Sequence, residues 1–240
     1  MNSENVSFRA GLVGGVPIGL GYLAVSFGFG IIAVTAGLDA YEAIFISMFN
    51  LTSAGQLAAV PIFTLGGSLF ELVTTQLVIN SRYALMSVSL SQRLGKSVRL
   101  RDKFLIAFAN TDEIFAVAVG NRDKVGKRYM YGLITLPVIG WTLGTTLGAL
   151  AGNILPDLIV TALSVSLYAM FIAIMVPVAR KSLGVVITVI SAALISSAFK
   201  YLEPLNKIPS GFAIVITAVL VSAVNALLFP IKEVKSDADQ

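Results

Sequence analysis

FLIAFANTDEIFAVAVG, residues Phe104 to Gly120, sets Asp112 beside Glu113 in an otherwise apolar run between two basic loops, RLGKSVRLRDK and NRDKVGKR. At the centre of a membrane helix each carboxylate costs about 2.5–3.5 kcal/mol, while each strongly apolar neighbour returns only about 0.3–0.6. Eight such neighbours fall short of balancing the pair. The run therefore does not face lipid alone, and carboxylates at this depth mark a substrate or ion path.

Working outward, the chain has 240 residues, 56% hydrophobic and 12% charged, with a mean hydropathy of +0.87. Most of the apolar residues fall in runs of about 20, the length a helix needs to cross a bilayer. The expected fold is an all-α polytopic membrane protein with about seven transmembrane helices, one acidic membrane-dipping segment and room for an inverted repeat. One transmembrane transporter domain, residues 1–240, accounts for the whole chain, with 1–8 and 231–240 as flexible tails. The first run, Ala10 to Val34, is too long for a signal-peptide core and lacks a small-residue cleavage site, so it is expected to be retained.

The net charge of +4 resides in short loops beside apolar runs, which is a topology signal and not a nucleic-acid footprint. Cys and His are absent, which removes disulfides, thiol chemistry, zinc or haem ligation through His and a His proton relay. Any proton chemistry must use carboxylates. No Walker loop, dinucleotide fingerprint or serine-nucleophile motif is present, so neither an enzyme nor a cofactor or metal site is expected.

The apolar segments are 10–34, 42–63, 69–90, 129–151, 157–178, 184–199 and 209–230, with 104–120 as the acidic eighth. Eight full crossings with the N-terminus inside leave nine basic residues inside and seven outside, hardly an asymmetry. If 104–120 enters and leaves on the cytoplasmic side and the N-terminus is outside, 13 of 17 basic residues are inside. A rival puts the N-terminus inside and makes 42–63 a re-entrant hairpin broken near NLTSAGQ, with 14 inside and two outside. Charge does not separate these two. GLVGGVPIGLGYLAVSFGFG from Gly11 and GLITLPVIGWTLGTTLGALAG from Gly132 resemble each other weakly, and in the seven-span arrangement they run in opposite directions.

Several polar groups invite a structural or a functional reading. Glycines at four- and seven-residue spacing in the first run, with Pro17, suit tight packing or a gating helix. Asn50, Thr52, Ser53, Gly55 and Gln56 interrupt 42–63, either to bind a small polar solute or to hydrogen-bond between helices. Gln76, Asn80, Tyr83 and Ser87 share one helix face. Arg82, placed in the cytoplasmic third of its run, either snorkels to headgroups or pairs with Asp112 or Glu113. Asp112 and Glu113 project about 100° apart. With Asn110 or Thr111 as N-cap they occupy a first turn, where they either stabilise the helix end or let one acid bind an ammonium group or take up a proton.

AGQ at 54–56, NSRYALMSVSLS at 80–91 and AFANTDEIFA at 107–116, with the Gly-rich opening, together resemble the AzlC family, large subunits of bacterial branched-chain amino acid exporters. The resemblance implies a multi-pass protein of the bacterial inner membrane that exports valine, leucine, isoleucine and sometimes methionine with a small AzlD-type subunit. It maps onto Gly55, Gln56, Asn80, Arg82, Thr111, Asp112, Glu113 and Phe115. Tyr83 stands where some members carry His, so a His-based mechanism does not apply here. Competing expectations are a passive channel for small solutes and a membrane scaffold inactive without its partner.

Overall fold

A computed structural model describes residues 4–5, 7–121, 123–152, 182–229 and some residues between 156 and 180. They fall into two compact units, Met1–Phe171 and Ile172–Gln240. In chain order the first contains β1 (Glu4–Asn5), α1 (Phe8–Thr35), α2 (Ala40–Phe49), α3 (Ala54–Thr64), α4 (Leu69–Arg93), α5 (Leu100–Phe108), α6 (Asp112–Val119), β2 (Lys124–Val125) and α7 (Lys127–Ala151). The second contains α8 (Leu183–Tyr201) and α9 (Ser210–Leu228), joined through a short 3-10 turn at Leu205–Lys207, with Gly184 against the Phe229 ring.

Local chemistry sets the helix ends. Ser7 caps α1 by accepting from Ala10 N–H, and Ser68 caps α4 by accepting from Glu71 N–H. Glu42 reaches back to Asp39 N–H at 2.9 Å to start α2. Gly37 and Gly66, at φ 106° and 71°, turn the chain after α1 and α3 in a conformation that L side chains resist.

The first unit is built on α1 and α7. Lipid is as apolar as leucine, so membrane helices associate by close packing, and small residues permit it. A Cβ at Gly11 would lie 2.0 Å from Tyr129 O, at Gly15 2.6 Å from Leu133 O, and at Gly30 2.4 Å from Thr145 O. Reciprocally, a Cβ at Gly132 would lie 2.1 Å from Phe8 O and one at Gly148 2.0 Å from Phe27 O. Residue numbers rise together along the seam, so the helices run parallel. The two Gly-rich copies therefore do not oppose each other as expected, because backbone contact along the whole seam locks them side by side in one direction.

That parallel pair decides the topology. β1 pairs with β2, and Leu94 bridges to Val125, so the starts of α1 and α7 and the end of α4 share the basic end, the cytoplasmic one by the positive-inside rule. The end of α1 and the start of α4 then share the far end, and α2–α3 between them enters and leaves there as a hairpin. Its arms fold together: Ala43 of α2 and Val60 of α3 pack in one cluster with Phe29, Ala33 and Ala149. The acidic segment is a second hairpin from the basic end, its arms α5 and α6 joined by Ile106 and Ile114 packed with Leu90, Met130 and Leu133. Within the first unit this is the re-entrant hairpin of the rival arrangement, and 42–63 is not a full span. An inverted relation does exist, between α1 followed by α2–α3 and α4 followed by α5–α6.

Among the described residues four helices, α1, α7, α8 and α9, are long and apolar enough to cross a membrane. At 25 residues, about 38 Å, α4 is also long enough, but Glu71, Gln76, Asn80 and Arg82 lower its hydropathy. The expected segment 157–178 falls largely outside the described residues.

Candidate functional site

Both hairpins break at the height of Tyr22, Asn80 and Trp141, midway along α1, α4 and α7. The first breaks at Asn50–Ser53, where Ser53 holds φ 42° and ψ −71°, a strained conformation for a side-chain-bearing residue. The second breaks at Ala109–Thr111. α3 and α6 therefore start near the centre, each turning the positive end of its dipole toward it.

Thr111 is the N-cap of α6, and Asp112 and Glu113 fill its first turn. Their divergence sends them to different partners. Asp112 Oδ2 lies 2.5 Å from Arg82 Nη1. Arg82 also donates from Nη2 to the Tyr83 hydroxyl at 3.1 Å and covers that ring at 4.9 Å. It sits midway along α4, not in the cytoplasmic third, and pairs instead of snorkelling. Glu113 Oε2 lies 2.5 Å from the Tyr22 hydroxyl, which is also 2.6 Å from Thr111 Oγ1. With a single proton, the phenol donates to the carboxylate and accepts from the threonine.

The first hairpin is tied to α4 and α7. Gln76 donates to Gly55 O at 2.8 Å, and Asn80 donates to Gln76 Oε1 at 2.9 Å. A Cβ at Gly55 would sit 2.5 Å from Thr52 Oγ1 and 2.6 Å from Gln76 Oε1, so glycine is what lets α4 approach the start of α3. Gln56 is fully buried. It accepts from Trp141 Nε1 at 3.0 Å and donates to Ser47 Oγ at 2.9 Å, and Ser47 meets Thr145 Oγ1 at 2.7 Å. Both ends of its amide are engaged, so Gln56 clamps the hairpin to α7.

The structure thus gathers Asp112, Arg82, Tyr83, Glu113 and Thr111 at one place and Gly55, Gln76 and Asn80 at the hairpin tip beside it. Among the described residues, Thr52 Oγ1, Asn80 Oδ1 and Asn110 Oδ1 are buried with no hydrogen-bond partner. Asn110 also donates to Ser87 Oγ at 3.3 Å, at the edge of an apolar cavity of about 300 Å³ lined by Val88, Leu90, Leu94, Phe104, Ile106 and Ala107. Sequence reasoning missed Tyr22 and Trp141. A signal existed, since Trp141 is the chain's single Trp and a buried indole N–H needs an acceptor.

Two half-helix hairpins entering from opposite ends, with an ion pair between helices at their tips, define a polytopic α-helical membrane protein of transport type. The chain belongs to the AzlC family, a membrane transport family, which it matches over residues 17–155. It is 33% identical over 177 residues to a membrane protein of Archaeoglobus fulgidus, covering 73% of this chain and 77% of that one. Inner membrane protein YgaZ of Escherichia coli is 29% identical over 153 residues, 62% of each chain. A Helicobacter pylori membrane protein is 31% identical over 141 residues, 58% of this chain and 61% of that one. No solved structure matches the chain.

Proposed function

We propose that the protein is a secondary transporter that exports branched-chain amino acids, valine, leucine, isoleucine and in some settings methionine, driven by the proton gradient and acting with a small AzlD-type subunit. The observation that carries this reading is the Arg82–Asp112 pair at the hairpin tips. A zwitterion can replace that pair without changing the charge of the site: its carboxylate takes Arg82 and the N–H groups of a half-helix start, and its ammonium takes Asp112. Thr52, Asn80 and Asn110 supply unused oxygens for the remaining ammonium protons. The cavity between α4 and α5 accommodates an aliphatic side chain on the cytoplasmic side. Glu113, held by Tyr22, is the carboxylate left for proton coupling.

A passive channel is the second reading, favoured by the uncommitted polar oxygens at the centre. Cells lacking their own exporters, loaded with isoleucine- or valine-containing dipeptides, separate the two. The transporter accelerates release of the free amino acid against an outward-high gradient, in the presence of its small partner or alone. Efflux that stops when the two sides equalise supports the channel, and no acceleration despite membrane expression refutes the branched-chain substrate.

A further inference from the structure

A continuous chain of side-chain contacts links the tips of the two hairpins across α1 and α7. It starts at Glu113 of α6, passes through the Tyr22 hydroxyl at 2.5 Å, and crosses to Trp141 by an edge-on ring contact with centroids 5.2 Å apart at 75°. From Trp141 Nε1 it continues to Gln56 of α3 at 3.0 Å and on to Ser47 of α2 at 2.9 Å. Tyr22 and Trp141 also share an apolar cluster with Leu51 at the first hairpin's tip. Every intermediate is buried: Tyr22 is 6% exposed, Trp141 1% and Gln56 0%.

The physics favours transmission along this route. Glycine contacts place the backbone of α1 directly on that of α7, so this pair is a frame with little freedom to slide. The hairpins are the parts that can move against it. A buried hydroxyl or indole N–H stripped of its partner costs about 1–3 kcal/mol, so a phenol that loses Glu113 turns its proton to Thr111 Oγ1, the partner left 2.6 Å away. Its ring edge then shifts on Trp141, whose N–H in turn holds Gln56.

We propose that Tyr22 and Trp141 are positioning residues that couple the two hairpins, so that release of Glu113, at the tip of the cytoplasmic hairpin α5–α6, from Tyr22 loosens the clamp that Gln56 makes on the outer hairpin α2–α3. This rests on the transporter reading above, in which two gates must not act independently.

The chain has one Trp and no Cys, which gives two clean reporters in the purified full-length protein. One is Trp141 emission. The other is the rate at which a small maleimide labels Val60→Cys, a site on α3 that is 3% exposed. Glu113→Ala, which removes the acceptor, is expected to shift Trp141 emission and to speed labelling about five-fold or more, the range of ordinary coupling between sites. Tyr22→Phe, which also frees Glu113, should speed labelling by itself, and adding Glu113→Ala to it, or to Trp141→Phe read by labelling alone if Tyr22→Phe does not fold, should give no further increase over that single variant. Labelling that ignores Glu113→Ala overturns the proposal, as does a further increase of the same size when Glu113→Ala is added to Tyr22→Phe or Trp141→Phe. Neither reporter uses a transported solute, so the coupling can fail while export stands, and export of another solute leaves it intact.

Discussion

Arg82 and Asp112 are 45% and 32% exposed although they sit midway along the helices, where a charge turned to hydrocarbon is expensive. They therefore border water or protein, and a group that reaches them can compete for either partner. Asp112 and Glu113 were legible in the sequence because two carboxylates in an apolar run demand an explanation. Their division of labour was not, since adjacent helical residues diverge by about 100° and only the fold says what waits on each side. Gln56 shows the opposite case. It was picked out as a polar interruption, but burial and two engaged amide ends make it a clamp. At the basic end, outside the spanning helices, Asp102 accepts from the Tyr131 hydroxyl and from Arg99 N–H, which hold its carboxyl below the usual range. A folded-state value below the unfolded one means that its stabilisation is complete above about pH 4 and is lost as pH falls through the lower folded value. In detergent, the wild type is expected to lose thermal stability more steeply than Asp102→Asn between about pH 6 and pH 3, and to be the more stable at the upper end. Parallel curves would show that the carboxylate contributes nothing.

At the scale of elements, the break in 42–63 was written in NLTSAGQ, where a run of amides, hydroxyls and glycine interrupts an apolar pattern. The direction of the Gly-rich helices was not, because small residues announce close approach without saying which way the neighbour runs. The seam between α1 and α7 makes that approach testable. A Cβ at Gly148 would lie 2.0 Å from Phe27 O, a backbone atom that cannot yield without moving the helix, whereas Gly21 has nothing within 4 Å. Gly148→Ala should destabilise the protein by about 1–3 kcal/mol, the usual penalty of overpacking. Gly21→Ala should be neutral or stabilising by up to about 1 kcal/mol through helix propensity. Thermal unfolding of the two variants checks this, and equal effects would contradict backbone contact along the seam.

For the whole molecule, charge counting narrowed the topology to two arrangements and could not choose, since Arg9 alone changes sides between them. The parallel packing of α1 on α7 makes the choice. It puts both ends of α2–α3 on the far side and both ends of α5–α6 on the basic side. Tyr41→Cys and Leu65→Cys, exposed at the two feet of the first hairpin, should both react with an impermeant maleimide added outside intact cells. Lys96→Cys should react only after permeabilisation. Tyr41 and Leu65 labelling from opposite sides would restore 42–63 as a full span.

The proposed transport rests on a zwitterionic amino acid binding at the Arg82–Asp112 pair at the hairpin tips. Exchange of labelled leucine across proteoliposomes holding the chain with its small partner measures this directly, for the wild type, Arg82→Gln and Asp112→Asn. The wild type is expected to exchange leucine and each variant to lose at least about tenfold, equivalent to about 1.4 kcal/mol or more, with each protein folded and inserted. Undiminished exchange in both folded variants would contradict it.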